Sequence, residues 1–347
     1  MARAHLVSRS WTSVVLLAAL AAPSGAQAPQ ILAVLPPFGS PGSEVLIVGS
    51  GFASDVAPRV WLEFPAADPA DEPVHHRLRV LDWSDSEIHA KVLSGEAGNG
   101  LLMVSVLHQE TVSAVFKVLK PQVVSFVPQA ASPGDMVTVK GASFGPKRGK
   151  VMLFDRPCKV VEWADDSVVF KVPNNLANGE WTPRVSNSVG EAVAFSALKL
   201  SGSQAELPAP FVDMQVEGLP FVAGPPDVVA KDLVTKVSFD AWSSLDGVDR
   251  HLKVVVNFKL LTSKVPTLFT GGSAAAQPVF FEMLPPAGSL EAASVYVAGP
   301  PSLPWRVHVL GRSQGQLFGL MSAVLKRVSG PGPETLALDE GMFLVDP

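Results

Sequence analysis

Few residues of this chain have the types and spacing that chemistry requires. Gly311-Arg312-Ser313-Gln314-Gly315 has the G-x-S-x-G form of a nucleophile elbow. Such an elbow needs a strand-turn-helix setting and a histidine later in the chain, and no histidine follows His308. A polar hairpin turn is expected there. His75-His76, with Asp68, Asp71 and Glu72 close by, combines imidazole with carboxylates, both competent metal ligands. Adjacent residues rarely converge on one ion without a third ligand placed elsewhere, so a solvated loop is expected. His89, His108, His251 and His308 are scattered singly. The pairs Asp82/Asp85 and Asp165/Asp166 suit turn and cap hydrogen bonds better than calcium or glycoside chemistry. Tryptophans can stack on sugar rings. Trp61 and Trp181 are the candidate binding residues, because Trp83 and Trp163 occupy matching places in two segments and read as packing residues. Trp242 and Trp305 fall in a region without a recognised pattern. Cys158, the single cysteine, reads as a small apolar residue and excludes an internal disulfide. No catalytic set, metal site or cofactor follows from these residues.

The elements that would position them begin with Val123–Pro173. Pro133-Gly134-Asp135 predicts a turn, since Pro pre-sets φ and Gly accepts values other residues resist. Met136–Gly141 alternates apolar Val137 and Val139 with Met136, Thr138 and Lys140, which predicts a half-buried strand. Val151–Asp155 and Lys159–Trp163 are expected to form a hairpin about a corner at Arg156-Pro157, with a further strand at Val168–Val172.

Much of this recurs upstream. Ser40-Pro41-Gly42 and Gly49-Ser50-Gly51-Phe52 precede Ser132-Pro133-Gly134 and Gly141-Ala142-Ser143-Phe144 by 92 positions, and Asp82-Trp83-Ser84-Asp85 precedes Glu162-Trp163-Ala164-Asp165 by 80. Asn99-Gly100 and Phe116 precede Asn178-Gly179 and Phe195 by 79. The change of offset places about twelve extra residues in Pro65–His76, expected as a protruding loop. The pattern S-P-G, V-x-V-x-G-x-x-F, then W-x-D-x-S-V-x-F-x-V-P resembles the IPT/TIG family of immunoglobulin-like domains. That resemblance implies early-set Ig-like β-sandwiches, found in receptors, bacterial surface proteins, enzyme accessory domains and some transcription factors, and it implies fold more strongly than function.

The expected fold is all-β: two Ig-like (early-set) β-sandwiches in tandem at 29–120 and 121–200, a linker at 201–210, and a third, β-rich domain at 211–347. In that third region strands are expected at Lys253–Leu260, Val279–Met283, Ser294–Val297 and Trp305–Leu310, while Leu317–Val328 suits a strand or a short helix. Residues 1–28, with Arg3, Arg9 and an apolar stretch ending in small residues, read as a cleaved signal peptide. No later stretch is long enough to span a membrane. A net charge of −5 and 17% charged residues offer no clustered basic face for nucleic acid. The expected protein is therefore non-enzymatic and secreted, periplasmic or cell-surface, with Ig-like modules serving as spacers, adhesive or protein-interaction surfaces. A carbohydrate-binding protein using exposed aromatics is the first alternative. An enzyme housed in 211–347, drawing on Asp213, Asp227, Asp240, Asp246, Asp249 or Glu282, is the second.

Overall fold

The computed structural model describes residues 28–66, 71–232, 237–256, 264–270, 279–285, 292–298 and 303–347, and every regular element among them is a strand. The signal-peptide segment and residues 257–260 of the expected Lys253–Leu260 strand lie outside the described residues.

The first unit is one continuous path of strands folded into a sandwich. Its order is Gln30–Leu35, Glu44–Ser50, Glu87–Val92, Val74–Trp83, Arg59–Phe64, Gly98–Val106, Gln109–Val118 and Phe38–Gly39. Strand Val74–Trp83 crosses between layers: its first residues pair with Arg59–Phe64 and its last with Glu87–Val92. His75 and His76 therefore lie in a strand opposite Glu63 and Leu62, not in the loop expected of them. The ladder begins directly after Pro73, where Val74 to Arg77 pair with Phe64 to Trp61.

The second unit has two four-stranded sheets. One orders Lys159–Trp163, Ser167–Lys171, Met136–Ala142 and Gln122–Val127; the other orders Arg156–Pro157, Lys150–Leu153, Arg184–Ser186 and Glu191–Val193. The tight corner falls at Phe154-Asp155, with Phe154 at φ 56°, and Arg156–Pro157 already pairs with Met152 and Leu153. Cys158 takes the inward position at which the chain passes between the layers.

Both units use the same local devices. Ser43 N–H donates to Ser40 O and Asp135 N–H to Ser132 O, closing turns in which Gly42 and Gly134 have φ of 98° and 91°. A Cβ on Gly49 would stand 2.4 Å from the Phe52 ring and 2.0 Å from Gln30 O; on Gly141 the same distances hold to Phe144 and Gln122 O. Glycine is needed because the phenylalanine three residues on folds back over it while a neighbouring strand crosses behind. The indole N–H of Trp83 donates to Ser54 O and that of Trp163 to Gly145 O, and the Asp85 and Asp165 carboxylates accept from Ala53 and Gly145 N–H. One pairing from the sequence fails: Phe116 is buried, but Phe195 is 83% exposed. Pro183 separates the short strands Gly179–Trp181 and Arg184–Ser186, so the register that placed Phe116 inward is not kept.

The C-terminal sandwich shares the long strand Gln316–Ser329 between its two sheets. On one side lie Trp305–Ser313, Thr335–Val345, Phe211–Val216, Leu219–Ala223 and Thr267–Thr270; on the other run Ser294–Ala298, Val279–Leu284, Val248–Val256, Val237–Leu245 and Val228–Asp232. The helix alternative for Leu317–Val328 is excluded. Leu317 and Met321 face the C-terminal core, whereas Phe318 and Leu320 face the core of the second unit. Burial on both faces removes the apolar-polar alternation by which a strand is usually read.

Strand Gly179–Trp181 pairs with Trp305–Ser313, joining the second unit to the C-terminal sandwich in one sheet. Leu310, Phe318, Leu320 and Leu344 complete the second unit's core. Residues 201–210 contain no strand, yet they are pinned: the Asn178 side chain donates to Ser203 O and accepts from Ser203 N–H, and Leu207 packs on the same core.

Candidate binding face

Of the two tryptophans put forward from the sequence, Trp181 is in the core. Its ring is 1% exposed, lies 5.2 Å from Phe154, and donates its indole N–H to Ala177 O. A buried ring offers no face to a ligand, so the structure corrects that assignment. Gly311, first residue of the G-x-S-x-G match, is the other side of this contact. A Cβ there would meet Trp181 at 2.4 Å. Gln314 and Gly315, with φ of 49° and 91°, form the hairpin turn, and Ser313 is buried with its hydroxyl on Asn178 O. No helix follows, so the elbow has no nucleophile role.

Trp61 keeps a partly exposed ring on the outer face of its sheet, 6.4 Å from the His75 ring. His75 bonds Glu63 at 3.0 Å across the same pair of strands. Among the described residues no three His, Cys, Asp or Glu side chains converge as metal ligands.

A different aromatic cluster stands on the C-terminal sandwich. Asp246 and Gly247 have φ of 52° and 77°, a two-residue turn with both centres left-handed. That turn fixes the register of Val237–Leu245 on Val248–Val256, setting Trp242 opposite His251 and Asp240 opposite Lys253. The next strand places Glu282 opposite His251 and Phe280 opposite Lys253. Alternation sends Phe239, Ala241, Leu252, Val254 and Phe281 into the core, so Asp240, Trp242, His251, Lys253, Phe280 and Glu282 share the outer face.

There the Trp242 indole and His251 imidazole stack with centroids 3.7 Å apart and planes 4° from parallel. The Phe280 ring meets His251 edge-on at 6.0 Å. His251 Nε2 lies 2.9 Å from an Asp240 carboxylate oxygen, Nδ1 lies 3.9 Å from a Glu282 oxygen, and Lys253 Nζ reaches Asp240 at 3.8 Å. The imidazole is thus clamped from its edge by carboxylates and covered on one side by the indole. Trp242 remains 40% exposed, so part of the indole is open to solvent. Beneath, buried Arg250 donates to Pro220 O and Ser243 Oγ and lies over the Phe221 ring, tying the hairpin to strand Leu219–Ala223. Burial pulls its pKa below the usual arginine value. The face presents a supported aromatic plane flanked by two carboxylates and an ammonium. Such a surface can take the apolar side of a sugar ring while the polar groups hydrogen-bond its hydroxyls. Asp213 is exposed on strand Phe211–Val216, Asp227 is exposed and accepts the Trp242 backbone N–H on its own carbonyl, Asp249 is exposed two residues before His251 on the same strand, and Asp246 serves the turn.

Residues 121–199 match the IPT/TIG domain, so the second unit is an IPT/TIG domain. No curated protein matches the chain. Among solved structures the chain is similar to the extracellular region of plexin A4, at 15% identity over 50% of this chain and 18% of that one, with a TM-score of 0.32. It is also similar to SGBP-B from a complex xyloglucan utilization locus in Bacteroides uniformis, at 15% identity over 92% and 98% of the two chains with a TM-score of 0.25. The surface glycan-binding protein PbSGBP-B from Prevotella bryantii is 12% identical over 62% and 58%, with a TM-score of 0.25.

Proposed function

We propose that the chain is an exported, non-enzymatic binding protein in which two Ig-like units carry a C-terminal sandwich that holds carbohydrate on its Trp242 face. The observation that carries this reading is the flat Trp242–His251 stack, in which the indole is 40% exposed while Asp240 and Glu282 hold the edge of the enclosed imidazole and Lys253 reaches Asp240. A tryptophan braced by a second ring is pre-organised, and less conformational freedom is lost when a ligand stacks on it. Trp61, beside His75 and Glu63, is a subsidiary contact in this proposal. Residues 29–120 serve as a second IPT/TIG module, a reading supported by the glycine, serine and tryptophan contacts it shares with 121–199. Export rests on the residues of Met1–Ala28. Native affinity electrophoresis against a panel of neutral polysaccharides tests the ligand class. At least one gel is expected to retard the protein; free migration through all of them would remove the carbohydrate reading.

A further inference from the structure

The IPT/TIG domain carries a groove that neither its sequence match nor the Trp242 face explains. Strand pairing sets Lys159 opposite Lys171, and Lys171 opposite Met136. Between these strands and Lys150 of the other layer, where the chain changes sheets at Cys158, lies a depression of about 660 Å³ that also takes in Arg148. A second depression, about 370 Å³, lies on the other side of Lys147–Lys150 and is bounded by Pro41 of the first unit. Five cations, Lys147, Arg148, Lys150, Lys159 and Lys171, thus line two adjoining hollows in which no lining residue is acidic. All five are exposed, and none forms an ion pair among the described residues. In a chain of net charge −5 this is a local reversal of sign. Lys147, Arg148 and Lys150 form one short basic run, and strand pairing brings Lys159 and Lys171 to it.

We infer that this strip is a binding site for an acidic polysaccharide, one bearing carboxylate or sulfate groups along its length. Clustered like charges raise the local potential and favour a ligand carrying several anions at once. Four of the five are lysines, mobile point charges that suit anions of varied geometry rather than one fixed phosphate. The walls contain no aromatic residue on which a nucleobase could stack. Strand Lys159–Trp163 is a sheet edge, but its ladder shifts register between Val160 and Glu162, and Glu162 adds a negative charge there. A bulged, acid-bearing edge is a poor template for an added acidic peptide strand. Met136, Pro157 and Val161 supply apolar contact for the carbon face of a sugar. The inference stands on different residues from the Trp242 reading and does not rest on it.

The test uses the full chain with heparin and polygalacturonate as anionic glycans and with dextran, poly-L-glutamate and duplex DNA as comparisons. The double variant Lys159→Gln/Lys171→Gln is set against Lys117→Gln/Lys326→Gln, which removes the same charge at exposed sites elsewhere. Matching thermal melts establish that both variants fold. Heparin or polygalacturonate is expected to bind in low salt, to weaken as salt rises, and to lose about tenfold in affinity in the groove variant only. Trp242→Ala is expected to leave this binding unchanged. Equal losses in the two double variants would reduce the effect to net charge and overturn the site. Failure of both anionic glycans to bind would do the same, and poly-L-glutamate or DNA binding as tightly as they do would overturn the ligand class.

Discussion

Replacing Gly311 by alanine should loosen two domains at once. The new methyl would stand 2.4 Å and 2.7 Å from Trp181 ring atoms and 3.0 Å from Glu180 O. The ring cannot withdraw freely, since Phe154 lies 5.2 Å away and Phe318 packs on Phe154 at 4.5 Å. Overpacking of this kind costs about 1–3 kcal/mol. Displacing strand Gly179–Trp181 also weakens the Thr182 N–H to Leu310 O bond at 2.9 Å, which adds about 1 kcal/mol. The expected loss is roughly 3 kcal/mol, or about 1 M in the urea midpoint for a slope near 3 kcal/mol per M. Trp181→Phe alone should also destabilise, by opening a cavity, but it makes room for the methyl. The double variant should therefore lose less than the sum of the single losses. Urea unfolding followed by far-ultraviolet circular dichroism gives all four corners of the cycle. Additivity within about 0.5 kcal/mol, or a Gly311→Ala protein as stable as the parent, would refute the shared wall between the IPT/TIG domain and the C-terminal sandwich.

Two further outcomes follow from buried titratable groups. Burial pushes the Cys158 thiol up to about 12, so at pH 8 a disulfide reagent should label the native protein on the order of a thousandfold more slowly than the urea-unfolded chain; equal rates would show the thiol to be exposed. His308 is held down to about 4 from 6.5 by burial and by the positive charges of Arg306 and Arg184. The unfolded chain therefore binds the extra proton first, and stability contributed by neutral His308 is present above about pH 6.5 and is lost as pH falls toward 4. Because the ring is half-buried and partly screened, that loss is roughly 1–2 kcal/mol between pH 7 and 5. Glu191, raised by its own burial, acts in the opposite sense, so the measurement is the difference between the parent and His308→Gln in chemical unfolding at each pH. A difference that does not change with pH would contradict the assignment.

The parts of the fold legible in the sequence are those whose cause is local. Ser-Pro-Gly turns and the glycine packed beneath a phenylalanine three residues on depend on contacts within one unit, and they can be read from spacing alone. Trp181 was not readable in the same way. What buries it is Gly311, 130 positions later, and an unmatched tryptophan looks free until that pairing is known. Phe195 misled for the converse reason: its spacing agreed with Phe116, but Pro183 had already broken the strand that carried the register. Leu317–Met321 gave no clear period because it is buried from two sides. The Trp242 face did carry a signal. Asp246-Gly247 is the dipeptide of a two-residue hairpin turn, and counting outward from it pairs Trp242 with His251 and Asp240 with Lys253. The single histidines looked scattered because that count runs across the turn rather than along the chain.

In the proposed function, Trp242 is the plane on which a sugar rests. Isothermal titration of the parent, Trp242→Ala and Trp83→Ala with a polysaccharide that retards the parent tests it most directly, since Trp83 is also exposed but is committed to its own loop through Ser54 O. Affinity is predicted to fall about tenfold or more in Trp242→Ala and to stay at the parental value in Trp83→Ala. An unchanged affinity in Trp242→Ala, or an equal fall in both variants, would contradict the account.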